Sequence, residues 1–305
     1  RGSAYDADYL TQAFKIAALR GHILQIWTAW AHLPARIPIW LEGDMAGSFS
    51  FASIDDERTA RAALTYVAPP EDPVTGHVLR VTGSGLGAIE LALRDDPIPG
   101  VGRSAALLWR RRFDVADLDR IADGIEQGRA IGLHVLVPDD LDWPESLGKL
   151  GTREPHALWV KGDAGLLGAP VLSRAALIGA YAPTEYGTEW ALRTAAELTQ
   201  DGYVITATSG TGIAAEATRG ALLEGGHPVV VVPRPLSFAA PENAAVARQG
   251  LLVSGLPPHS PHSREAGRAS HRLLASMSGV ATVVEAHERS TPVRTAEMAR
   301  TLGRE

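Results

Sequence analysis

The residues whose types and spacing promise most chemistry lie between positions 204 and 226, in "VITATSGTGIAAEATRGALLEGG". An apolar pair, Val204 and Ile205, leads into Thr208-Ser209-Gly210-Thr211-Gly212, and an alanine-rich helical stretch follows. Strand, small-residue turn and helix together offer backbone N–H groups and a positive dipole end to an anion. The dinucleotide fingerprint is incomplete, because position 215 is alanine and no acid follows about 20 residues on at a strand end. No Gly-Lys-Ser/Thr occurs, so the turn is not a P-loop either. Two readings stand: a turn that binds an anion, and a tight turn that needs glycine for its shape.

Other stretches carry charge. "HERSTPVRTAEMAR" (287–300) starts a helix, with Thr291 expected as its N-cap, Pro292 as its first helical residue, and Arg289 and Arg294 close by. "REAGRASHRLLASMS" (264–278) sets Arg264, Arg268 and Arg272 four apart on one helix face, beside His271. Such a row suits a backbone of phosphates, or is a solvated face. Arg110-Arg111-Arg112 poses the same choice. "HSPHS" (259–263) has two histidines without a third ligand at metal-binding spacing, so no metal is expected. "IPGVGR" (98–103) is similar to a helix-hairpin-helix turn, with a plain turn the simpler reading. No Ser-His-Asp set or paired acids stand at loop ends, so neither catalysis nor a cofactor is expected.

Composition sets the bounds. The 305 residues are 45% hydrophobic and 21% charged, enough for one large or two ordinary domains. A net charge of −6 argues against a generally sticky nucleic-acid binder while leaving room for a local basic groove. The absence of cysteine excludes disulfides and thiol chemistry and fits a cytoplasmic protein. "GHILQIWTAWAHLPARIPIW" (21–40) is too polar and too broken by proline to span a membrane. Its tryptophans suit a core cap or a partner contact.

These residues need elements to hold them. Residues 8–33, 55–67, 85–94 and 115–129 read as helices of a domain covering 1–130. Beyond it, apolar runs at 133–137, 157–160, 175–178, 203–206, 229–232, 250–253 and 280–284 alternate with helical patterns at 184–200, 213–224, 241–248, 264–277 and 293–302. That texture predicts an α/β fold over 131–305, a Rossmann-like, doubly wound, mostly parallel sheet. Ligands of such sheets sit beyond the carboxyl ends of the strands, which selects the loops 179–181, 209–212, 233–235 and 286–291.

"DWPESLGKLGTREPHALWVKGD" (142–163), "ALIGAYAPTEYG" (176–187), the 204–226 stretch, "GLLVSGLPP" (250–258), "SHRLLASMSGVATVVEA" (270–286) and "TAEMARTLGR" (295–304) resemble the DprA/Smf family of DNA-processing proteins. The resemblance covers about five-sixths of the chain, leaving out residues 4–53. It implies a helical domain before an extended Rossmann-like domain, and a non-catalytic, homodimeric protein. Single-stranded DNA and a RecA-type recombinase would be its partners in natural transformation and homologous recombination. The DNA-binding positions it implies are Gly179, Tyr181, Ser209, Gly210, Thr211, Gly212, Arg219, Arg268, Arg272, Ser290, Arg294 and Thr295. Several differ from the family pattern. Tyr181 stands for an arginine, Thr211 for a frequent lysine, Ala214 for an aspartate, Thr218 for a histidine, and Ser270-His271 for the first two residues of an Arg-Asn-Arg run. Each missing cation is one phosphate fewer neutralised. Two alternatives follow: a repurposed module binding a nucleotide or small phosphorylated ligand, and a protein-interaction module with a vestigial groove.

Overall fold

The computed structural model describes residues 49–238, 243–261 and 263–305. The expected 8–33 helix, the 21–40 segment and His262 lie outside the described residues. Residues 49–305 form one compact unit.

Its first part is helical: α1 (Glu57–Val67), α2 (Pro73–Thr82), α3 (Gly85–Leu93), α4 (Arg103–Asp114) and α5 (Leu118–Ala130). Two of these, α2 and α4, are additions to the sequence reading. Gly76 and the β-branched Val74, Thr75, Val78, Val81 and Thr82 weaken the helical signal of α2. Its start is nevertheless well fixed, because Asp72 accepts from Thr75 N at 2.8 Å and from Thr75 Oγ1 at 2.7 Å, and Pro73 follows. Gly76 answers to packing: a Cβ there would lie 1.9 Å from the Thr152 carbonyl oxygen. The arginine triplet is largely spent inside this bundle. Arg110 donates to the Leu91 carbonyl at 3.2 Å, and Arg112 pairs with Asp72 at 3.0 Å. "IPGVGR" is the turn between α3 and α4, with Gly100 at φ 76°.

The sheet has β1 (His134–Leu136), β2 (Leu158–Gly162), β3 (Arg174–Ile178), β4 (Val204–Thr208), β5 (Val229–Val231), β6 (Leu251–Ser254) and β7 (Val280–Val283), in the order β1-β2-β6-β5-β4-β3-β7. Every expected apolar run is a strand. The five strands from β3 to β7 are mutually parallel, and β1 and β2 are antiparallel additions at one edge, so the sheet is mostly parallel as expected. A parallel pair needs a full crossover, and the β1–β2 link holds only a 3-10 helix, Glu145–Arg153.

Between the strands lie α6 (Gly165–Gly168), α7 (Glu185–Gln200), α8 (Ile213–Leu223), α9 (Ala244–Gln249) and α10 (Arg264–Met277), and α11 (Thr291–Thr301) follows β7. Strand residues bury alternately on both faces. Ala175, Leu177 and Ile205 pack on Ala195 of α7 and Ala217 and Ala221 of α8. Ala176, Ile178, Val229, Val231 and Val253 pack on Leu273, Leu274 and Met277 of α10. A third core joins Leu64, Trp109 and Phe113 of the helical part to Trp159, Val230 and Leu252 of the sheet. Successive strands β3 to β6 step outward in one direction, and β7 returns to the other flank of β3. The chain therefore reverses between β3 and β7, the switch point at which such sheets open a crevice.

Candidate nucleic-acid interface

Three strand ends build the site at this reversal. After β3 the chain enters Gly179-Ala180-Tyr181, after β4 the 208–212 turn, and after β7 Glu285. These loops are tied to one another. Ala180 N donates to the Glu285 carbonyl at 2.6 Å, Ile213 N to the Ala180 carbonyl at 3.1 Å, and Thr211 Oγ1 to the Tyr181 carbonyl at 3.1 Å. Ser209 N donates to the Val231 carbonyl at 2.9 Å.

The glycines are what this closeness demands. Gly212 has φ 74°, and a Cβ on it would meet the Ala180 carbonyl oxygen at 2.1 Å. A Cβ on Gly179 would meet Ile213 Cγ1 at 2.6 Å. Tyr181 lies beside Gly210, its Cε1 3.8 Å from where a Cβ would be, and stays 58% exposed. The expected residues Gly179, Tyr181, Gly210, Thr211 and Gly212 thus come together. Ser209 and Gly210 also border a cavity of about 280 Å³ whose lining includes Arg219. Arg219 is already committed, donating to Glu216 Oε2 through Nε at 2.8 Å.

The remaining positions form a second group on α10 and α11. Thr295 is buried, donates to the Thr291 carbonyl at 2.9 Å and lies 3.2 Å from His271 Nδ1. Burial holds the His271 pKa below its ordinary value. Ser290, not Thr291, is the N-cap of α11: its backbone is extended, and the helix begins at Thr291 with Pro292 in the first turn. Its hydroxyl is buried and makes no cap bond. Arg268 and Arg294 are exposed, with no ion pair among the described residues. Arg272 differs from them, since it forms an ion pair with Glu71 of the α1–α2 connection and both are largely buried. The expected row of free cations is therefore interrupted at Arg272. Among the described residues, no hydrogen bond or ion pair joins this second group to the 208–212 turn.

Glu285 is the residue that sequence reasoning missed. Its carboxylate accepts from Thr184 N at 3.0 and 3.1 Å and from Thr184 Oγ1 at 2.8 Å. Thr184 is the N-cap of α7, and a Cβ on Gly187 would lie 2.4 Å from Glu285 Oε2. A protein carboxylate thus occupies the helix N-terminus at the switch point, where a nucleotide phosphate binds in many such folds. An acid at the end of β7 is visible in the sequence; that β7 lies beside β3 is not.

The sheet order and switch point define a Rossmann-like α/β protein whose crevice is built from locked backbone turns. Similarity to known proteins gives it a family. Residues 134–305 match the family model for DNA recombination-mediator protein A, and the chain belongs to that family, DprA/Smf. A putative DNA processing protein DprA from Mycobacterium tuberculosis is 33% identical over 268 residues, covering 82% of this chain and 66% of the relative. The chain thus spans just under two thirds of that relative's length. Protein Smf of Synechocystis sp. is 25% identical over 175 residues, 56% of this chain and 44% of the relative. Among solved structures, DNA processing protein A of Streptococcus pneumoniae superposes with a TM-score of 0.66 at 18% identity, covering 83% of this chain and 86% of that one. That of Helicobacter pylori, described for its single-stranded DNA binding mode, gives 0.50 at 24% identity over 56% and 78%. These two likenesses establish the fold.

Proposed function

We propose that the chain is a single-stranded DNA-binding recombination mediator that works as a homodimer without catalysis and delivers DNA to a RecA-type recombinase. The observation carrying this reading is the locked pair of turns, 179–181 against 209–213, with Tyr181 exposed over Gly210. Membership of a family of DNA recombination mediators supports it. Phosphate recognition rests on backbone N–H groups and on Arg268 and Arg294, while Tyr181 gives a base a face to stack on. No described helix is long and apolar enough to cross a membrane.

A fluorescence-anisotropy titration with a labelled oligothymidylate tests the binding. The expected Kd at low salt lies below about 100 µM, the weak end of ordinary non-specific binding. Replacing Arg268 and Arg294 by glutamine should lower the salt slope by about 0.7 for each phosphate no longer neutralised. A Kd weaker than that limit, or a slope that ignores both arginines, overturns the reading. Recombinase delivery is read separately, from the lag before ATP hydrolysis on DNA already coated by a single-strand binding protein, and dimerisation from light scattering.

A further inference from the structure

The amino ends of the strands hold a second site. Arg174 opens β3, Val280 opens β7, and the Ala281 N–H donates to the Glu305 carbonyl at 2.8 Å, which brings residues 303–305 to this edge. Between that edge, the Glu145–Arg153 turn and α6 lies a cavity of about 520 Å³. The length of the parallel strands separates it from the crevice at their carboxyl ends, so the two ends of the sheet can be occupied independently.

Two buried guanidiniums, those of Arg174 and Arg304, line it. Arg174 is 1% exposed and Arg304 9%. Arg174 donates through Nε to the Met277 carbonyl at 2.5 Å and through Nη1 to the Leu167 and Ala169 carbonyls at 2.9 and 2.7 Å. Its Nη2 has no hydrogen bond among the described residues. Arg304 donates through Nη2 to the Ser276 carbonyl at 3.2 Å, and its Nε is buried without a partner. The Ser146 hydroxyl on the same wall is also buried without a partner. Among the described residues, neither guanidinium has a carboxylate within ion-pairing distance. Lys149 and the exposed Glu145 complete the charged lining, three cations against one carboxylate, with Asp142 behind Gly168.

A single buried arginine that ties off carbonyl groups is ordinary architecture. Two buried like charges with no counter-ion among the described residues are not, because each adds to the other's desolvation cost. Burial, and after it the neighbouring Arg304, lower the Arg174 pKa to about 10. An anion would remove the repulsion and take up the unused donors, and a tetrahedral oxyanion matches paired guanidiniums and a hydroxyl. Inorganic phosphate would leave most of the space empty. The rest of the wall is apolar, with Trp143, Pro144, Leu167 and Val171, and the volume is typical of sites for small organic ligands.

We propose that this cavity binds a small organic phosphate, its phosphoryl group on Arg174, Arg304 and Ser146 and its body against the Trp143 wall. The proposal does not depend on DNA binding at the other end of the sheet.

The test is a thermal-shift and calorimetric titration of the full chain in phosphate-free buffer, with inorganic phosphate, ribose 5-phosphate and adenosine monophosphate as separate probes. At least one organic phosphate should raise Tm by about 3 °C or more at millimolar concentration and bind at least tenfold more tightly than inorganic phosphate. Arg304→Met keeps the packing of the stem, and Ser146→Ala removes only a hydroxyl; each should weaken that binding at least fivefold. Both variants should bind oligothymidylate as the parent does, which separates this site from the crevice. The absence of any shift by all three probes overturns the proposal. So does equal binding of inorganic and organic phosphate, or binding indifferent to both substitutions.

Discussion

At the scale of single residues, the crevice has exchanged charge for surface. Tyr181 stands where the family resemblance implies an arginine, and it is exposed beside a glycine turn. A phenol ring stacks on any base but neutralises no phosphate. Tyr181→Ala should therefore weaken oligothymidylate binding by about 1–3 kcal/mol and leave the salt slope unchanged. A changed slope with little drop in affinity would assign Tyr181 no stacking role. His156 carries a different prediction. It is fully buried, its ring nitrogens make no hydrogen bond of good geometry among the described residues, and burial pushes its pKa from 6.5 down to about 4. The nearby Pro69 carbonyl and Asp72 favour the charged ring but are outweighed. Below pH 6.5 the unfolded chain takes up a proton that the folded chain refuses until about pH 4. Stability should fall by about 3 kcal/mol across that window, with no further fall from this group below it. Urea titrations between pH 7.5 and 4 measure this, and His156→Gln should flatten the slope whatever its effect at pH 7.5. The sequence announces Tyr181 and the missing cations because a motif shows substitutions directly. It hides Glu285, the Arg272–Glu71 pair and the spent arginines of α4, since each depends on a partner distant along the chain.

At the scale of elements, the sequence is most legible where local physics acts alone. The inner strands β3, β5 and β6 read as short apolar runs because they bury both faces, and α10 matches its expected span of 264–277. Helix α2 is illegible, since its residues favour other conformations and packing on the 3-10 helix overrides them. The antiparallel entry of β2 leaves no mark on its composition. Turn geometry is legible in part: the glycines at 179, 210 and 212 announce a special backbone, though not its partner. That partner makes Gly212 the element-scale test. Gly212→Ala places a methyl group 2.1 Å from the Ala180 carbonyl oxygen and demands a positive φ. The 179–181 and 209–213 loops must separate, so stability should drop by more than about 1 kcal/mol and DNA affinity should fall with it. Ser209→Ala leaves the backbone bond to Val231 intact and should cost far less stability. Chemical denaturation and anisotropy on both variants decide whether the shape of the turn or its hydroxyl holds the site together.

At the scale of the molecule, the helical part and the sheet share a core instead of meeting at a wet boundary. Trp159 of β2 is 1% exposed, donates from its indole to Thr65 Oγ1 at 3.2 Å and packs edge-on to Tyr66 at 6.3 Å between ring centroids. Arg58 bonds Asp140 at 2.7 Å, and Arg61 donates to the His156 carbonyl at 3.1 Å. The Arg272–Glu71 pair ties α10 to the same bundle. Residue 130, where the sequence suggests a boundary, is the last residue of α5, and residues on both sides of it belong to one compact unit. Cooperativity is a separate property, set by what is buried across that boundary. Removing the bundle would expose Trp159, Val230 and Leu252 and strand the partners of these bonds. Residues 49–305 should therefore unfold in one transition, with α1 and β5 amides reporting the same opening free energy by hydrogen exchange. Trp159→Ala should lower both together, by about 3–5 kcal/mol. If the α1 amides open several kcal/mol below those of β5, the bundle is an independent unit. Arg272 could then be released from Glu71 to meet DNA without disturbing the sheet; with a single transition, freeing Arg272 costs stability throughout the unit.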